Sequence, residues 1–168
     1  MINFSFRYLK KPPTPDVLDE IFDILATNMR VIAPTGMTYE EDKVMWLSCV
    51  PPALEKEARQ ILLIYDGDEL IGFFQYYVTA DHSTFMMEEI QFKAAYRGSG
   101  LFGDLYRFLI PRLPADTVSV EAYADKRNTK SLGVLGHLGL TVIGENKNGK
   151  SYRLRGDFAR LRQKYGEI

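Results

Sequence analysis

At 168 residues and 46% hydrophobic content, the chain has enough apolar surface for a single globular domain, residues 1–168, with a sizeable buried core. Its 21 basic and 22 acidic residues leave a net charge of -1 with no long run of either sign, which argues against nucleic acid or a membrane as partner and for a small ligand. A lone cysteine, Cys49, excludes an intrachain disulfide, and His82 and His137 show no metal-ligand spacing, so no metal is expected; with no secretory leader and no run of about 18 apolar residues, the expected location is cytoplasmic.

In chain order, "INFSFRYL" alternates with Phe4, Phe6 and Tyr8 on one face and predicts a first strand, which "KKPPTP" stops. Val17, Leu18, Ile21, Phe22 and Leu25 repeat at helical spacing, so a helix capped by Thr14 or Asp16 is expected through about Asn28. A second helix is expected from Thr38 through Cys49, ended by Pro51 and Pro52, with "MRVIAPTGM" as the interhelical loop. "QILLIY", "DGDE" and "LIGFFQYYV" read as a hairpin, and "STFMMEEIQF" as the next strand. Beyond Gly100, Leu101, Phe102, Leu105, Phe108 and Leu109 form one apolar helical face. "TVSVEAY" is a strand, "NTKSLGVLGHL" a short helix, and the segment from Leu140 to Phe158 a hairpin turning at Asn148 and Gly149. The tail, residues 156–168, places Phe158, Leu161 and Tyr165 at helical spacing and packs either on the domain or on a second subunit in a homodimer. The order β-α-α-β-β-β-α-β-α-β-β describes an α/β fold with a mixed sheet and one strand-helix-strand crossover.

The chemistry concentrates in "AAYRGSGLFGDL". Gly98, Ser99 and Gly100 precede a helix whose first turn offers unpaired N–H groups and a positive dipole end, and Arg97 adds a full charge, so the natural ligand is a phosphate. The lysine and serine or threonine of a P-loop are missing, and so are the glycine spacing and later acid of a dinucleotide fingerprint. Alternation in "MMEEIQF" puts Glu88, Ile90 and Phe92 on one face and Met87, Glu89 and Gln91 on the other. Only one of the two glutamates can therefore face a given substrate, and apolar neighbours suit either of them to a base working near neutrality.

Arg97 to Phe102 resembles the pyrophosphate loop of the GNAT N-acetyltransferases, which reads Arg or Gln, two variable residues, Gly, one variable residue, then Gly or Ala. "FKAAYRG" resembles that family's lead-in, with Ala94 where proline is common, and "NTKSLGVLGHLGL" resembles its second signature at Asn128, Ser131, Val134, Gly139 and Leu140. The resemblance implies an acyl-CoA N-acyltransferase fold with a mostly antiparallel sheet of about seven strands and about four helices. It implies acetyl-CoA as cosubstrate, a primary amine of a small molecule or a protein as acceptor, and direct transfer. Arg97, Gly98, Ser99, Gly100, Leu101, Phe102, Asn128 and Ser131 fall at the cofactor-binding positions, and the backbone N–H of Phe92 or Lys93 at the oxyanion position. Glu89 or Glu88 is the implied base, and Glu121 a third candidate on the following strand. Two positions depart from the pattern: Phe102 stands where a very small residue is preferred, and Leu135 where many members carry a tyrosine acid. Tyr123 and Tyr152 are the alternative acids or substrate contacts, and a binding module that keeps the cleft without turnover is the alternative function.

Overall fold

Among the described residues, apolar runs interrupted by turn residues at short intervals build seven strands, with α-helices between and after them. The computed structural model describes residues 2–56 and 58–166. The last two residues of the tail lie outside the described residues. Contacts divide the chain into two compact units, residues 1–76 with 89–101 and residues 77–88 with 102–168.

The first unit holds β1 (Phe4–Tyr8), α1 (Pro15–Ile32), α2 (Tyr39–Lys56), β2 (Gln60–Asp66) and most of β3 (Glu69–Val78), together with the end of β4 (Thr84–Phe92). β1 runs antiparallel to β2 from Phe4 opposite Asp66 to Tyr8 opposite Leu62, and β2 pairs antiparallel with β3, a bulge falling at Ile64 and Tyr65. Ile61, Leu62, Leu63 and Ile64 are all buried, because β2 has covered faces on both sides and so reads as a continuous apolar run. Leu9, Ile21, Ile24, Leu54, Ile61, Leu63, Leu70 and Phe73 form the core of this unit, with Val17, Leu25, Trp46 and Val50 packed against it.

Both helices outlast their expected ends. α1 runs one turn beyond Asn28 to Ile32, closed by the Ala33 N–H on the Met29 carbonyl, and the side chain of Thr14 makes no capping bond. α2 continues through Pro51 and Pro52 to Lys56 instead of stopping before them. The proline ring fixes a φ that suits a helix and costs the backbone donors that would have reached the Leu47 and Ser48 carbonyls. Burial of Leu54 in the core, one turn later, outweighs that loss. Cys49 lies on the exposed side of α2 and is not the buried small hydrophobe its type suggests.

The second unit contains the start of β4, α3 (Leu101–Leu109), β5 (Ser119–Asp125), α4 (Thr129–His137), β6 (Thr141–Glu145), β7 (Ser151–Asp157) and α5 (Phe158–Tyr165). β4 and β5 pair in parallel from Thr84 opposite Ser119 to Met87 opposite Ala122, and α3 with a 3-10 turn over Ile110–Arg112 is their crossover. β7 pairs antiparallel with both β5 and β6. The tail forms α5 and packs on its own unit: the Phe158 ring meets Phe85 edge-on at 6.0 Å, and Tyr165 meets Tyr106 at 5.2 Å. Phe158 and Leu161 are thereby almost fully buried, and α5 is the fifth α-helix among the described residues. The seven strands follow the order β1-β2-β3-β4-β5-β7-β6, which is the mixed, mostly antiparallel α/β sheet expected from the pattern of elements.

Leu54 is the residue on which the extension of α2 depends. Leu54→Ala is expected to destabilise the chain by about 2–5 kcal/mol through lost burial and the cavity left behind, read as a lower urea midpoint at unchanged m-value.

Candidate functional site

β4 carries the carboxylates, and its end is held in the first unit by a residue that the sequence did not single out. Asn28 on α1 donates through Nδ2 to the Phe92 carbonyl at 2.9 Å and to Gln91 Oε1 at 3.0 Å. Gln91 Nε2 in turn donates to Glu89 Oε1 at 2.6 Å, so Glu89 and Gln91 share a face as alternation requires. The signal was faint: Asn28 is a polar residue in the i, i+3, i+7 stripe begun by Ile21 and Ile24, where helical periodicity expects an apolar one. β3 comes close at this point because Gly72 has no side chain. A Cβ there would lie 2.7 Å from both the Gln91 carbonyl oxygen and the Phe92 Cβ.

The Lys93 N–H donates to the Ile71 carbonyl at 2.8 Å, which removes it from the two oxyanion alternatives. Successive amides of a strand point to opposite edges, so the Phe92 N–H is directed away from β3. The Lys93 ammonium sits 2.9 Å from Glu69. In the loop between α1 and α2, Arg30 pairs with Asp42 and donates to the Met37 carbonyl at 3.0 Å, so this cation braces the loop.

Beyond β4, Ala94–Tyr96 forms a 3-10 turn. The Tyr96 hydroxyl donates to Asp66 Oδ2 at 2.7 Å, a bond that pushes the phenol up to about 12, and the Tyr96 ring meets Phe4 edge-on. Ser99 gives both its N–H and its hydroxyl to the Tyr96 carbonyl, so its side chain fixes the turn. Arg97, Gly98 and Gly100 are exposed. Gly98 and Gly100 have φ of +74° and +83°, and a Cβ on either would meet nothing within 4 Å. The result is an open, left-handed stretch of backbone at the start of α3, whose first N–H groups have no intrahelical acceptor. Leu101, 2% exposed, anchors the helix start in the protein.

In the second unit, Glu88 is half-buried, beside a buried Met87 whose Sδ accepts from the Tyr106 hydroxyl at 3.8 Å. Burial pushes the Tyr106 phenol well above its ordinary range. Phe102 is half-buried and stacks on Tyr106 with ring centres 6.2 Å apart. Asn128 caps α4, its Oδ1 accepting the Ser131 N–H at 3.1 Å, which accounts locally for this pair of signature residues. Leu135 is buried, Tyr123 is 46% exposed, and Tyr152 lies beneath the Lys126 ammonium.

Glu121 is excluded as a base by its partners. It is 4% exposed, and both its oxygens accept from Arg153 Nη2, at 2.9 and 3.0 Å, with Arg155 Nη1 at 3.3 Å. The same contact raises the Arg153 pKa, as expected of a guanidinium bound to a carboxylate. Glu121 is a buried carboxylate whose two half-exposed arginine partners tie β5 to β7. His82 lies 3.3 Å from Asp116, and among the described residues no group of three or more His, Cys, Asp or Glu could hold a metal.

No protein-family model matches the sequence, and no curated protein is significantly similar to it. Solved structures do match. An acetyltransferase from Thermus thermophilus is 17% identical with a TM-score of 0.69, over 94% of this chain and 99% of its own. A protein from Desulfovibrio desulfuricans assigned to the GNAT family is 14% identical with a TM-score of 0.70, over 93% and 99%. The spermidine N-acetyltransferase of Vibrio cholerae, in complex with CoA and spermine, is 14% identical with a TM-score of 0.62, over 94% and 97%. At these identities the likeness is one of fold.

Because the space around Gly100 is open, its cost of substitution is conformational. Gly100→Val is expected to lower stability by about 1–3 kcal/mol and Gly100→Asn by clearly less, since asparagine tolerates positive φ and a β-branched residue does not. Thermal melts of the two variants side by side check this.

Proposed function

From the GNAT acetyltransferase fold of this chain, we propose that residues 1–168 form one acetyl-CoA-dependent N-acetyltransferase domain that transfers an acetyl group directly to a primary amine of a small molecule or a protein. The observation that carries the reading is the exposed loop Arg97–Gly100. Its two positive-φ glycines bare the backbone where α3 begins, directly after a strand bearing an oriented carboxylate. A pyrophosphate suits such a loop, with backbone N–H groups as donors and Arg97 as counter-charge. Buried Leu101 fixes the start of the helix behind this loop, and half-buried Phe102 follows it. Asn128 and Ser131 act on the coenzyme indirectly, by fixing the start of α4.

In the reaction, Glu89 takes a proton from the acceptor ammonium, and the freed amine attacks the thioester carbonyl. The Phe92 N–H, directed away from β3, is the donor assigned to the developing oxyanion. The nitrogen of the adduct gives up its second proton to solvent, and collapse expels the coenzyme A thiolate, which takes its proton from water or from a tyrosine, since Leu135 offers none. Glu88, on the opposite face of β4, is the second candidate for the base. Spermine in the Vibrio cholerae complex supports a small cationic amine as one class of acceptor.

Leu135 in place of an acid favours one other reading, a module that binds acetyl-CoA without turning it over. Release of free thiol from acetyl-CoA across a panel of primary amines separates the two, and tight binding without release would establish the module. Under the enzyme reading, Glu89→Gln is expected to lose most of its turnover at neutral pH with unchanged acetyl-CoA affinity. Calorimetric titration with coenzyme A tests the loop. Gly100→Val should abolish binding, whereas Arg97→Ala should weaken it roughly ten- to hundredfold. Coenzyme A binding by folded Gly100→Val within a few-fold of the unmodified chain would refute the loop as a pyrophosphate site.

A further inference from the structure

Asn28, Gln91 and Glu89 form a hydrogen-bond chain whose direction the backbone dictates. The Phe92 carbonyl can only accept, so the Asn28 atom 2.9 Å from it is the amide nitrogen. The second hydrogen on that nitrogen goes to Gln91, which must therefore present its oxygen at 3.0 Å. Gln91 is left with its own amide nitrogen toward Glu89, and the carboxylate accepts at 2.6 Å. Every link has one polarity, and the chain ends on Glu89 as an acceptor. The last bond is the shortest of the three, in the direction that an ionised acceptor favours.

We infer that Asn28 and Gln91 are positioning residues that aim the Glu89 carboxylate and favour its ionised form, ready to take a proton from the acceptor amine. This rests on the acetyltransferase reading and adds to it two residues outside the pyrophosphate loop and the α4 signature. A glutamate has three rotatable bonds and loses considerable rotamer freedom when fixed. A donor locked from behind by Asn28 removes that freedom before the substrate arrives, which is the condition for a well-placed proton acceptor. Space-filling alone does not account for the arrangement, because leucine or methionine would pack at both positions without needing partners. The chain also separates the two glutamates of β4: Glu89 shares its face with Gln91, and Glu88 points to the other.

The chain is tested on protein labelled with 13C at the glutamate carboxyls, with the Glu89 signal assigned by its disappearance in Glu89→Gln. In Asn28→Leu and in Gln91→Met, which remove donors without adding charge, Glu89 is expected to titrate at a clearly higher pH than in the unmodified chain, because the ionised form loses its hydrogen bond. An unchanged midpoint in folded Gln91→Met would overturn the inference, as would a shift there that Asn28→Leu, if folded, fails to reproduce. Turnover of acetyl-CoA with spermidine, tyramine and a peptide bearing a free N-terminus supplies the second readout. Gln91→Met is expected to lower kcat roughly tenfold with KM for acetyl-CoA within twofold, and to add less than twofold when combined with Glu89→Gln. Full additivity would overturn the positioning role, since a merely structural residue would act independently of Glu89. If Glu89→Gln instead turns over like the unmodified chain, the assignment of the base fails, and the titration alone decides whether the chain holds the carboxylate.

Discussion

Four residue pairs of parallel ladder, Thr84 to Met87 against Ser119 to Ala122, set the terms for the rest of the structure. Parallel strands cannot be joined by a tight turn, so the chain leaving β4 must cross over before it returns as β5. α3 is that crossover, and its N-terminus therefore follows the end of β4 in sequence. The short link between them has to turn sharply, and Gly98 and Gly100 do so in left-handed conformations. The bare backbone at the mouth of α3 is thus a topological consequence.

The ladder also stops short. β4 runs five residues beyond Met87, to Phe92, and the last four, Glu89 to Phe92, belong to the unit that contains α1 and most of β3. There the strand is held by the Lys93 amide on Ile71, the bare Cα of Gly72 and the two hydrogen bonds of Asn28. A strand gripped by a side-chain amide from a helix has both its register and its rotation set. That is the condition under which a carboxylate on it acquires a defined direction, and Glu89 is the one that Gln91 holds. Glu121 on β5 meets the opposite fate. Two half-exposed guanidiniums from β7 hold the buried carboxylate, so that its charge ties two strands and is not offered to a ligand.

Element order, strand alternation and the glycine loop could be read from the residues because each rests on local chemistry. The apolar runs of β2 and β3, the periodicity of α3 and the amphipathic tail that became α5 all carry their own signal within about ten residues. Helix ends were less legible. α2 passes through Pro51 and Pro52 because Leu54 has a core to enter, and that core is assembled from strands and helices distant in sequence. Cys49, of a type most often buried, is exposed, because which side of α2 meets the core is decided by packing and not by residue type.

By itself, the sequence determined the α/β class, the seven strands in order and a glycine loop at Arg97 to Gly100, because periodicity, turn chemistry and backbone freedom act over short spans of chain. Only the tertiary structure decided which partner each polar group found. It sent the Lys93 amide to Ile71, Glu121 to Arg153 and Arg155, the Asn128 side chain to the start of α4, and Asn28 to Gln91 and Phe92 across more than sixty residues. Hydrogen bonds have direction and a reach of about 3 Å, so their partners are set by three-dimensional placement that no local pattern encodes.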